Sequence, residues 1–558
     1  MNIDLQKIFE QLFNQKKPTV VTKKKRKIGH VYALIITLIV YGIVDYIVLP
    51  VYNLRSPGFI ILIAITIAFW ATLDQALTFS TNKIAKKAYG VSILLVILTF
   101  VLSLLSSEFL NAARFRDQIV IRELRSFSND FQTVDLSRVP VVDKQTAIQL
   151  GEKQIGTVAG IGSQFFVHND YSLISIDDSM YRLSALDYRD IIKWFNNRSE
   201  GIKQFVSVNV TNPNDVSLIS YPNGMRYTPN AYFNENLMRK IRFNHRTAII
   251  GGYSLEVDDD FNPYWVVSVV EPEIGWFGGP SAKGVIIMDP SSGESDYYDL
   301  KDVPRWVDRV QPSNIAWSQI DNWGYYVNGF FNTLFSQKDM LQTTEGYNYV
   351  SIDGQVYVYS GMTSVGADRS IVGFALINLR TKEAVFYEVG GADEYSAMSS
   401  AQGQVQHLNY QATFPVLLNV GNVPTYFISL KDQEGLVKMY SFVAVSNYDA
   451  VGVGENIQLA LTDYSNRLSE FDVIIDEPSL MDQVVGTVAG VYSVISEGDT
   501  VLYITLNEDP RLFKVVVKDH IEAIFATIDD QVEITYYESD QMIVEAIGFD
   551  HLGVNYNP

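Results

Sequence analysis

The chain of 558 residues contains no cysteine. Disulfide bonds, thiol catalysis and thiolate metal sites are therefore excluded, and the folded part depends on its apolar core. Histidine is scarce as well, since the six histidines include no pair at metal-ligand spacing and no HExxH motif. A GxSxG nucleophile elbow and a GxxxxGK[ST] phosphate loop are also missing. The sequence thus predicts no catalytic residue, no cofactor and no metal site.

Basic residues are missing from three long apolar runs, Val31–Leu49, Phe59–Leu73 and Val91–Ser107. A helix of about 20 apolar residues crosses the ~30 Å hydrocarbon layer of a bilayer. The first and third runs are near that length, and the second reaches it by continuing through Asp74 to Phe79. We therefore predict a three-helix transmembrane anchor over residues 31–108, with a re-entrant or tightly packed helix as the alternative for the second run.

The lysine and arginine residues around these runs predict the orientation of the anchor. Eight basic residues lie in residues 1–30, and Lys83, Lys86 and Lys87 lie between the second and third runs. The loop between the first two runs holds only Arg55. Because cytoplasmic loops carry the excess of basic residues, we expect a multi-pass cell-membrane protein with a cytoplasmic N-terminus and residues 109–558 outside the cell.

Positive charge remains scarce after the anchor, where 31 basic and 58 acidic residues follow Glu108. A strongly acidic region without a basic stripe is a poor ligand for nucleic acid. We therefore expect no nucleic-acid partner. The expected partners are the lipid bilayer and either an envelope protein or a second copy of the chain, and a cysteine-free exported region fits a bacterial envelope.

The predicted fold class is α+β, with a β-rich exterior after the three membrane helices. The predicted segments are a cytoplasmic amphipathic and basic tail over 1–30, a juxtamembrane helix over 109–138, a first extracytoplasmic α+β module over 139–250, tandem α+β meander modules over 251–478, and a C-terminal β module over 479–558.

The first exterior module has a readable local pattern. Asp143 is a good N-cap for a helix over Asp143–Ile155. Gln164–His168 and Tyr171–Ile176 read as a strand pair joined by the turn Asn169–Asp170. Leu186–Asn196 reads as a second helix.

The middle of the exterior repeats a pattern of two strands, a polar turn and a further strand. Its strands are Asn262–Val270, Gly284–Asp289 and Glu294–Leu300, then Gln355–Ser360, Gly373–Asn378 and Glu383–Val389, and less completely Pro424–Leu430 and Leu436–Val445. Candidate helices lie between them at Val327–Phe335 and Ser396–Leu408. A helix packed across a small antiparallel meander is an α+β arrangement.

The helix that begins at Asp143 and these helix–meander units resemble PepSY modules, which are small α+β domains found outside bacterial membranes. The resemblance rests on two features. One is a helix that opens with a polar residue and alanine, and the other is the Asp-x-x-x-Gly turn of Asp289–Gly293. It covers roughly residues 140–450. The resemblance implies binding, inhibition or assembly rather than catalysis.

The C-terminal section reads as a small β module. Its candidate strands are Gly486–Ser493, Thr500–Leu506, Leu512–Val517, Val532–Tyr537 and Ile543–Gly548. A short helix or turn at His520–Phe525 interrupts them, and this layout suits an OB-like barrel. The sequence GTVAG occurs at both Gly156–Gly160 and Gly486–Gly490, which predicts a related β module after Gly156 unless the match is chance.

Two places carry candidate interaction residues. Trp306, Asp308, Arg309, Trp317 and Trp323 form a Trp/Asp/Arg cluster that predicts a recognition surface. The alternative is that tryptophan packs a loop onto the core while Asp308 and Arg309 remain exposed charges. In the first membrane run, Asp45 is a candidate intramembrane polar contact, because ionisable groups in a span are costly.

These features favour a membrane-anchored, extracytoplasmic binding or scaffold protein that acts through protein–protein contacts in a cell-envelope complex. One alternative is an envelope enzyme that cleaves wall polymers with Asp/Glu chemistry. The other is a transporter subunit in which Asp45 lies in a pathway.

Overall fold

The structure is a computed structural model that describes residues 29–78, 83–122, 127, 139–158, 160–176, 179–352, 355–366, 370–473, 481–496, 499–537 and 542–553. It is a mixed α+β fold with three apolar helices near the N-terminus and a β-rich remainder, as predicted. Two compact units divide the chain at residues 104 and 105. The predicted tail over 1–30 lies almost entirely outside the described residues.

The first unit holds helices α1 (Gly29–Val48) and α2 (Pro57–Thr78), and α3 (Lys83–Leu105) runs to the boundary. Each is long and apolar enough to cross a membrane. The second run does continue through Asp74, whose carboxylate is fully buried and lies 2.5 Å from Nδ1 of His30. A charge in an apolar helix is tolerated when it has such a partner.

The second unit begins with a short helix, α4 (Glu108–Arg116), which is kinked at Asn111. Helix α4 ends at Arg116 and does not continue over 109–138 as predicted. Strand β1 (Ile121–Arg122) follows it. Residues 123–126 and 128–138 lie outside the described residues. The other helices of the unit are α5 (Lys144–Thr157), α6 (Ile161–Gln164), α7 (Ile191–Asn197), α8 (Leu237–Asn244), α9 (Ser313–Tyr325), α10 (Phe330–Leu334), α11 (Glu394–Gln404) and α12 (Ile457–Ser469).

The first sheet of the second unit has the strand order β3-β4-β6-β7. Its strands are β3 (Ser172–Ile176), β4 (Ser179–Ser184), β6 (Ile202–Asn209) and β7 (Val216–Met225), and a separate pair is made by β2 (Phe165–Val167) and β5 (Leu186–Tyr188). Helix α5 starts at the predicted N-cap, because the Asp143 carboxylate accepts the backbone N–H of Thr146.

The predicted hairpin around Asn169–Asp170 is wrong. Strand β2 pairs with β5 instead, and β3 pairs with β4. The backbone N–H of His168 donates to the carbonyl of Ala185, so a partner distant in sequence takes the place of the local one. The predicted helix over Leu186–Asn196 begins only at Ile191, because Asp190 caps it and the preceding residues are in β5.

The second sheet is an antiparallel meander of order β11-β10-β9-β8. Its strands are β8 (Ile249–Val257), β9 (Pro263–Ile274), β10 (Gly278–Met288) and β11 (Ser295–Asp299). The first predicted strand–strand–turn–strand unit is therefore present as β9, β10 and β11.

The third sheet has the order β1-β17-β16-β14-β12, with β13 also paired to β14. Its further strands are β12 (Leu341–Thr343), β13 (Asn348–Ile352), β14 (Gln355–Ser364), β16 (Gly373–Asn378) and β17 (Ala384–Tyr387), and a separate pair is made by β15 (Ser370–Ile371) and β18 (Gly391–Ala392). The second predicted unit is present as β14, β16 and β17. Strand β1 joins the edge in parallel with β17, a pairing that the sequence did not signal.

The fourth sheet has the order β19-β21-β22-β23, with β20 also paired to β21. Its strands are β19 (Gln411–Ala412), β20 (Val416–Val420), β21 (Val423–Lys431), β22 (Val437–Ala444) and β23 (Val451–Gly454). The third, less complete unit is therefore present as the β21–β22 pair. One core joins the first, second and fourth sheets, since it contains Phe205, Trp265 and Phe427.

The C-terminal section is a closed five-stranded barrel of order β24-β25-β26-β28-β27. Its strands are β24 (Met481–Ser496), β25 (Asp499–Leu506), β26 (Leu512–Val516), β27 (Gln531–Tyr537) and β28 (Ile543–His551), and a 3-10 helix at Ile521–Phe525 separates β26 from β27. The barrel has its own apolar core, built around Phe513 and Ile534.

The two GTVAG copies have different structures. Gly156 lies in the last turn of α5, and Gly160 has a positive φ before the short helix α6. The copy that begins at Gly486 lies wholly inside strand β24. The expectation of a second, related β module after Gly156 is therefore wrong. Small residues are compatible with both a helix end and a strand, so the sequence match does not indicate a common fold.

Candidate binding groove

An open groove of about 620 Å³ lies at one end of the third sheet. The ends of β12, β14 and β17, with the loops beside them, form its walls. The lining residues are Gln337, Asp339, Met340, Leu341, Ser364, Val365, Val372, Phe386, Glu388 and Gly390. A volume of this size with a mixed apolar and polar lining is typical of a ligand-binding cleft.

One wall of the groove holds a strained backbone. Gln337 has φ of 50° and Asp339 has φ of 57°, both in the left-handed region that non-glycine residues rarely adopt. The buried side chain of Asn332 stabilises this turn, because its Oδ1 accepts the backbone N–H of Lys338 and its Nδ2 donates to the Lys338 carbonyl. Backbone strain of this kind is concentrated at functional sites.

The groove carries two exposed carboxylates, those of Asp339 and Glu388. Within the described part of the chain neither has an ion-pair partner. Phe386 also lines the groove and contacts Trp323, with ring centroids 5.7 Å apart. The groove thus presents negative charge next to apolar surface.

The predicted Trp/Asp/Arg cluster is dispersed in the fold. Trp306 packs on Tyr264, with ring centroids 5.3 Å apart, and Trp317 packs on Tyr347, with ring centroids 5.7 Å apart. Trp323 packs on the groove residue Phe386. None of the three tryptophans is fully exposed. Of the five predicted surface residues, Trp323 is the one that touches a groove residue.

Asp308 is buried, with 8% of its surface exposed, so the expectation of an exposed charge is wrong for this residue. Its Oδ2 accepts the backbone N–H of Ser175, and its own N–H donates to Oε2 of the fully buried Glu256 over 2.8 Å. Burial, together with the charge of Glu256, raises the pKa of Asp308 to about 7. Arg309 is half-buried beside this pair.

Asp45 lies in α1 near its outer predicted end. The hydroxyl of Tyr52 donates to its Oδ1 over 2.7 Å, and the hydroxyl of Tyr41 donates to that of Tyr52 over 3.1 Å. The carboxylate therefore has polar partners within the first unit.

A buried ionic cluster lies where the first, third and fourth sheets meet. Nζ of Lys431 contacts Oδ1 of Asp143 at 2.6 Å, and the guanidinium of Arg182 donates from Nε to the carbonyl of Val142. Burial alone would raise the pKa of Asp143, but the Lys431 ammonium lowers it below its ordinary value. Burial also lowers the pKa of Arg182. The small cavity beside them is about 20 Å³, enough for one water molecule and too small for a substrate.

The contact of His168 with Asp187 does not extend to the neighbouring serine hydroxyl. Nδ1 of His168 contacts Oδ2 of Asp187 at 2.6 Å, but the Ser184 hydroxyl donates to the backbone carbonyl of His168 rather than to its imidazole. The nucleophile–base contact of a serine triad is therefore not made at this pair. No group of three or more His, Asp and Glu residues among those described could hold a metal ion.

The sequence prediction missed the groove. The polar wall of the groove directly follows the aromatic stretch Phe330–Phe335. The change from aromatic to polar residues at Ser336–Asp339 was the feature of the sequence that could have indicated the groove. Glu388 carries no comparable signal, because its place in the groove depends on the pairing of the third sheet. The chain matches no protein-family model and no curated protein.

Proposed function

We propose that this protein is a membrane-anchored binding or scaffold protein of the cell envelope. Helices α1, α2 and α3 hold it in the cell membrane, the N-terminus is cytoplasmic, and residues 109–558 lie outside. The folded exterior binds a segment of a partner protein. The length and apolar character of the three helices support the anchor.

The observation that carries this proposal is the open groove with its two carboxylates, Asp339 and Glu388. Exposed carboxylates without an ion-pair partner favour a ligand of opposite charge. The apolar side chains beside them, among them Val372 and Phe386, favour a ligand with apolar groups as well. A partner segment that carries lysine or arginine next to apolar residues meets both requirements.

The module types belong to the same proposal. The barrel is proposed to be OB-like, which is supported by its strand order, by the parallel pairing of β26 with β28 and by the 3-10 helix before β27. The meanders are proposed to be PepSY-like, supported by helices packed against antiparallel strands. Both assignments favour binding over catalysis.

Site-specific crosslinking tests the binding proposal. A photoreactive amino acid replaces Val372 in the full chain, and cells are irradiated and examined for a discrete adduct. We expect one partner adduct that is lost in the Asp339→Asn/Glu388→Gln variant and weakened by salt, because charge attracts the partner. The matched control carries the photoreactive residue at Lys203, an exposed position on the first sheet. Equal adducts at both positions, or no adduct at 372, would refute the proposal.

Protease treatment of intact, wall-stripped cells tests the orientation. An antibody against the barrel should lose its signal, while a fragment of residues 1 to about 110 remains protected by the membrane. A protected barrel would place the exterior in the cytoplasm and contradict the proposed topology.

An enzyme acting on wall polymers is the second candidate, because Asp339 and Glu388 line one groove. A general acid, however, is usually withdrawn from water, and both carboxylates are exposed. Release of soluble fragments from purified wall polymer by the full chain, abolished in Glu388→Gln, would favour the enzyme. Unchanged polymer with an intact crosslink would favour binding.

A further inference from the structure

Exposed aromatic rings cluster on two neighbouring helices of the second unit. Phe109 in α4 contacts Phe330 and Phe331 in α10, with ring centroids 5.3 and 5.8 Å apart. Phe331 in turn stacks on Phe335, which is 80% exposed. Leu334 is exposed beside them. Such a contiguous apolar patch on a folded surface marks an interaction site.

A second exposed aromatic side chain lies on the tip of the β9–β10 hairpin. Trp276 is 44% exposed there. The tip is held by Ser106, whose Oγ accepts the backbone N–H of Trp276 over 2.8 Å and that of Phe277 over 3.2 Å. Helix α4 also contacts this hairpin, because Arg114 donates to the carbonyl of Glu273. The hairpin tip is thus fixed to the residue that follows α3.

Chain connectivity places both groups close to the end of a membrane helix. Ser106 is the residue directly after Leu105, where α3 ends. Phe109 is four residues beyond Leu105, a distance of at most about 14 Å along the chain. If α3 crosses the membrane, Phe109 and the hairpin tip therefore lie within or beside the headgroup layer.

The side chains present in this patch are those that membrane interfaces favour. Tryptophan is enriched at the level of the lipid headgroups, and phenylalanine and leucine enter the acyl boundary of interfacial helices. Helix α4 contacts both α10, which carries the patch, and β9, which leads to the hairpin tip. Both aromatic groups therefore adjoin the short helix that follows α3.

We propose that the Phe109–Phe331–Phe335 cluster and Trp276 form an aromatic collar that inserts into the outer lipid interface around the exit of α3. The collar binds the exterior to the bilayer surface in addition to the three helices. This inference rests on the proposed membrane anchor, and its ligand is the lipid surface rather than the partner of the groove.

Spin labelling tests the collar. Because the full chain has no cysteine, the label attaches only to the cysteine that is introduced. Phe335→Cys and, separately, Trp276→Cys are labelled with a nitroxide in the full-length protein, reconstituted into vesicles of phosphatidylcholine and phosphatidylglycerol. Collisions with oxygen, which partitions into lipid, are compared with collisions with a water-soluble nickel chelate. The matched control is Ile495→Cys, an exposed apolar position on the barrel that is 78% exposed.

We expect the ratio of oxygen to nickel accessibility to be several-fold higher at positions 335 and 276 than at 495. Equal ratios at the three positions would overturn the collar. Low accessibility to both reagents with dipolar broadening of the spectrum would also overturn it, because a second copy of the chain would then cover the patch. Leu334→Cys is the replacement site if Phe335→Cys does not fold.

A label at Leu98 in α3 separates this inference from the proposed anchor. If Leu98→Cys reports lipid while positions 335 and 276 report water, the collar is wrong and the anchor stands. If Leu98→Cys also reports water, the anchor fails together with the collar.

Discussion

The backbone N–H of Asp308 donates to the carboxylate of Glu256 over 2.8 Å, and both residues are buried. This contact joins the end of β8 to the loop before α9. The Asp308 carboxylate in turn accepts the N–H of Ser175 in β3. Asp308 thus connects the first and second sheets inside one buried site, where burial and the charge of Glu256 raise the cost of ionising its carboxyl group.

The pH dependence of this site follows from Asp308. Its pKa is about 7 in the folded chain and near 3.8 when unfolded, so its contribution to stability is fully present below pH 4 and is lost as pH rises through 7. The contribution is on the order of 4 kcal/mol. Asp308→Asn keeps an acceptor for Ser175 and has no proton to lose. We expect it to stabilise the site at pH 8 and to change little at pH 4.

Hydrogen exchange of peptides covering residues 172–176 and 303–311, corrected for intrinsic rates, measures this effect in the full chain. Asp302→Asn, at an exposed position, is the control and should match the unsubstituted protein at every pH. A protection difference that does not depend on pH would contradict the assignment.

The buried cluster of Asp143, Lys431 and Arg182 predicts which of two substitutions lowers the stability of the fold more. Asp143→Asn keeps the helix cap but leaves two buried cations without their counter-charge, and we expect a loss of about 3–5 kcal/mol. Lys431→Met should cost less, because Arg182 remains close enough to compensate Asp143. Urea unfolding followed by tryptophan fluorescence in detergent micelles gives both values. The reverse order would show that Arg182 does not share the Asp143 charge.

The strained groove wall depends on Asn332. Asn332→Ala removes the acceptor and the donor that hold Lys338, and we expect a loss of about 1–3 kcal/mol confined to the wall. Faster exchange over residues 336–340 would report it, together with weaker crosslinking at position 372. Asn314→Ala, at an exposed position in α9, should leave both measurements unchanged.

A side-chain network around Arg511 links the start of β26 to β27 in the barrel. Its guanidinium binds the Asp509 carboxylate through Nε and Nη2, donates to the Tyr536 hydroxyl over 2.6 Å, and lies 4.5 Å from the centre of that ring. Arg511→Lys cannot form this fork, so we expect a loss of about 1–3 kcal/mol, seen as faster exchange in β26. Lys518→Arg, whose ion pair with Asp499 is exposed, is the matched control. Equal effects of the two changes would assign the Arg511 network no structural role.

Local patterns predicted most of the elements. The apolar runs predicted the three long helices, Asp143 predicted a helix start, and apolar segments separated by polar turns predicted the strands of the meanders and the barrel. These features depend on neighbours within a few residues, which is why sequence reasoning reaches them.

Strand pairing and side-chain burial were harder to predict from the sequence. Strand β2 pairs with β5 and β1 pairs with β17, and nothing in either strand identifies its distant partner. The burial of Asp308 was missed for the same reason, because the groups that make it tolerable, Ser175 and Glu256, lie far away in sequence. The groove wall has positive φ at Gln337 and Asp339, and glutamine is a residue type that does not signal this conformation.

The pairing of β1 with β17 sets an order of events during synthesis. Residues 121 and 122 leave the ribosome early, yet their partners at 384 and 385 follow only after the first and second sheets have been made. The Lys431–Asp143 contact spans 288 residues in the same way. Strand β1 must therefore wait for its partner strand, and contacts of such long sequence separation slow folding. The region after the third helix thus completes its fold only when the fourth sheet has been made.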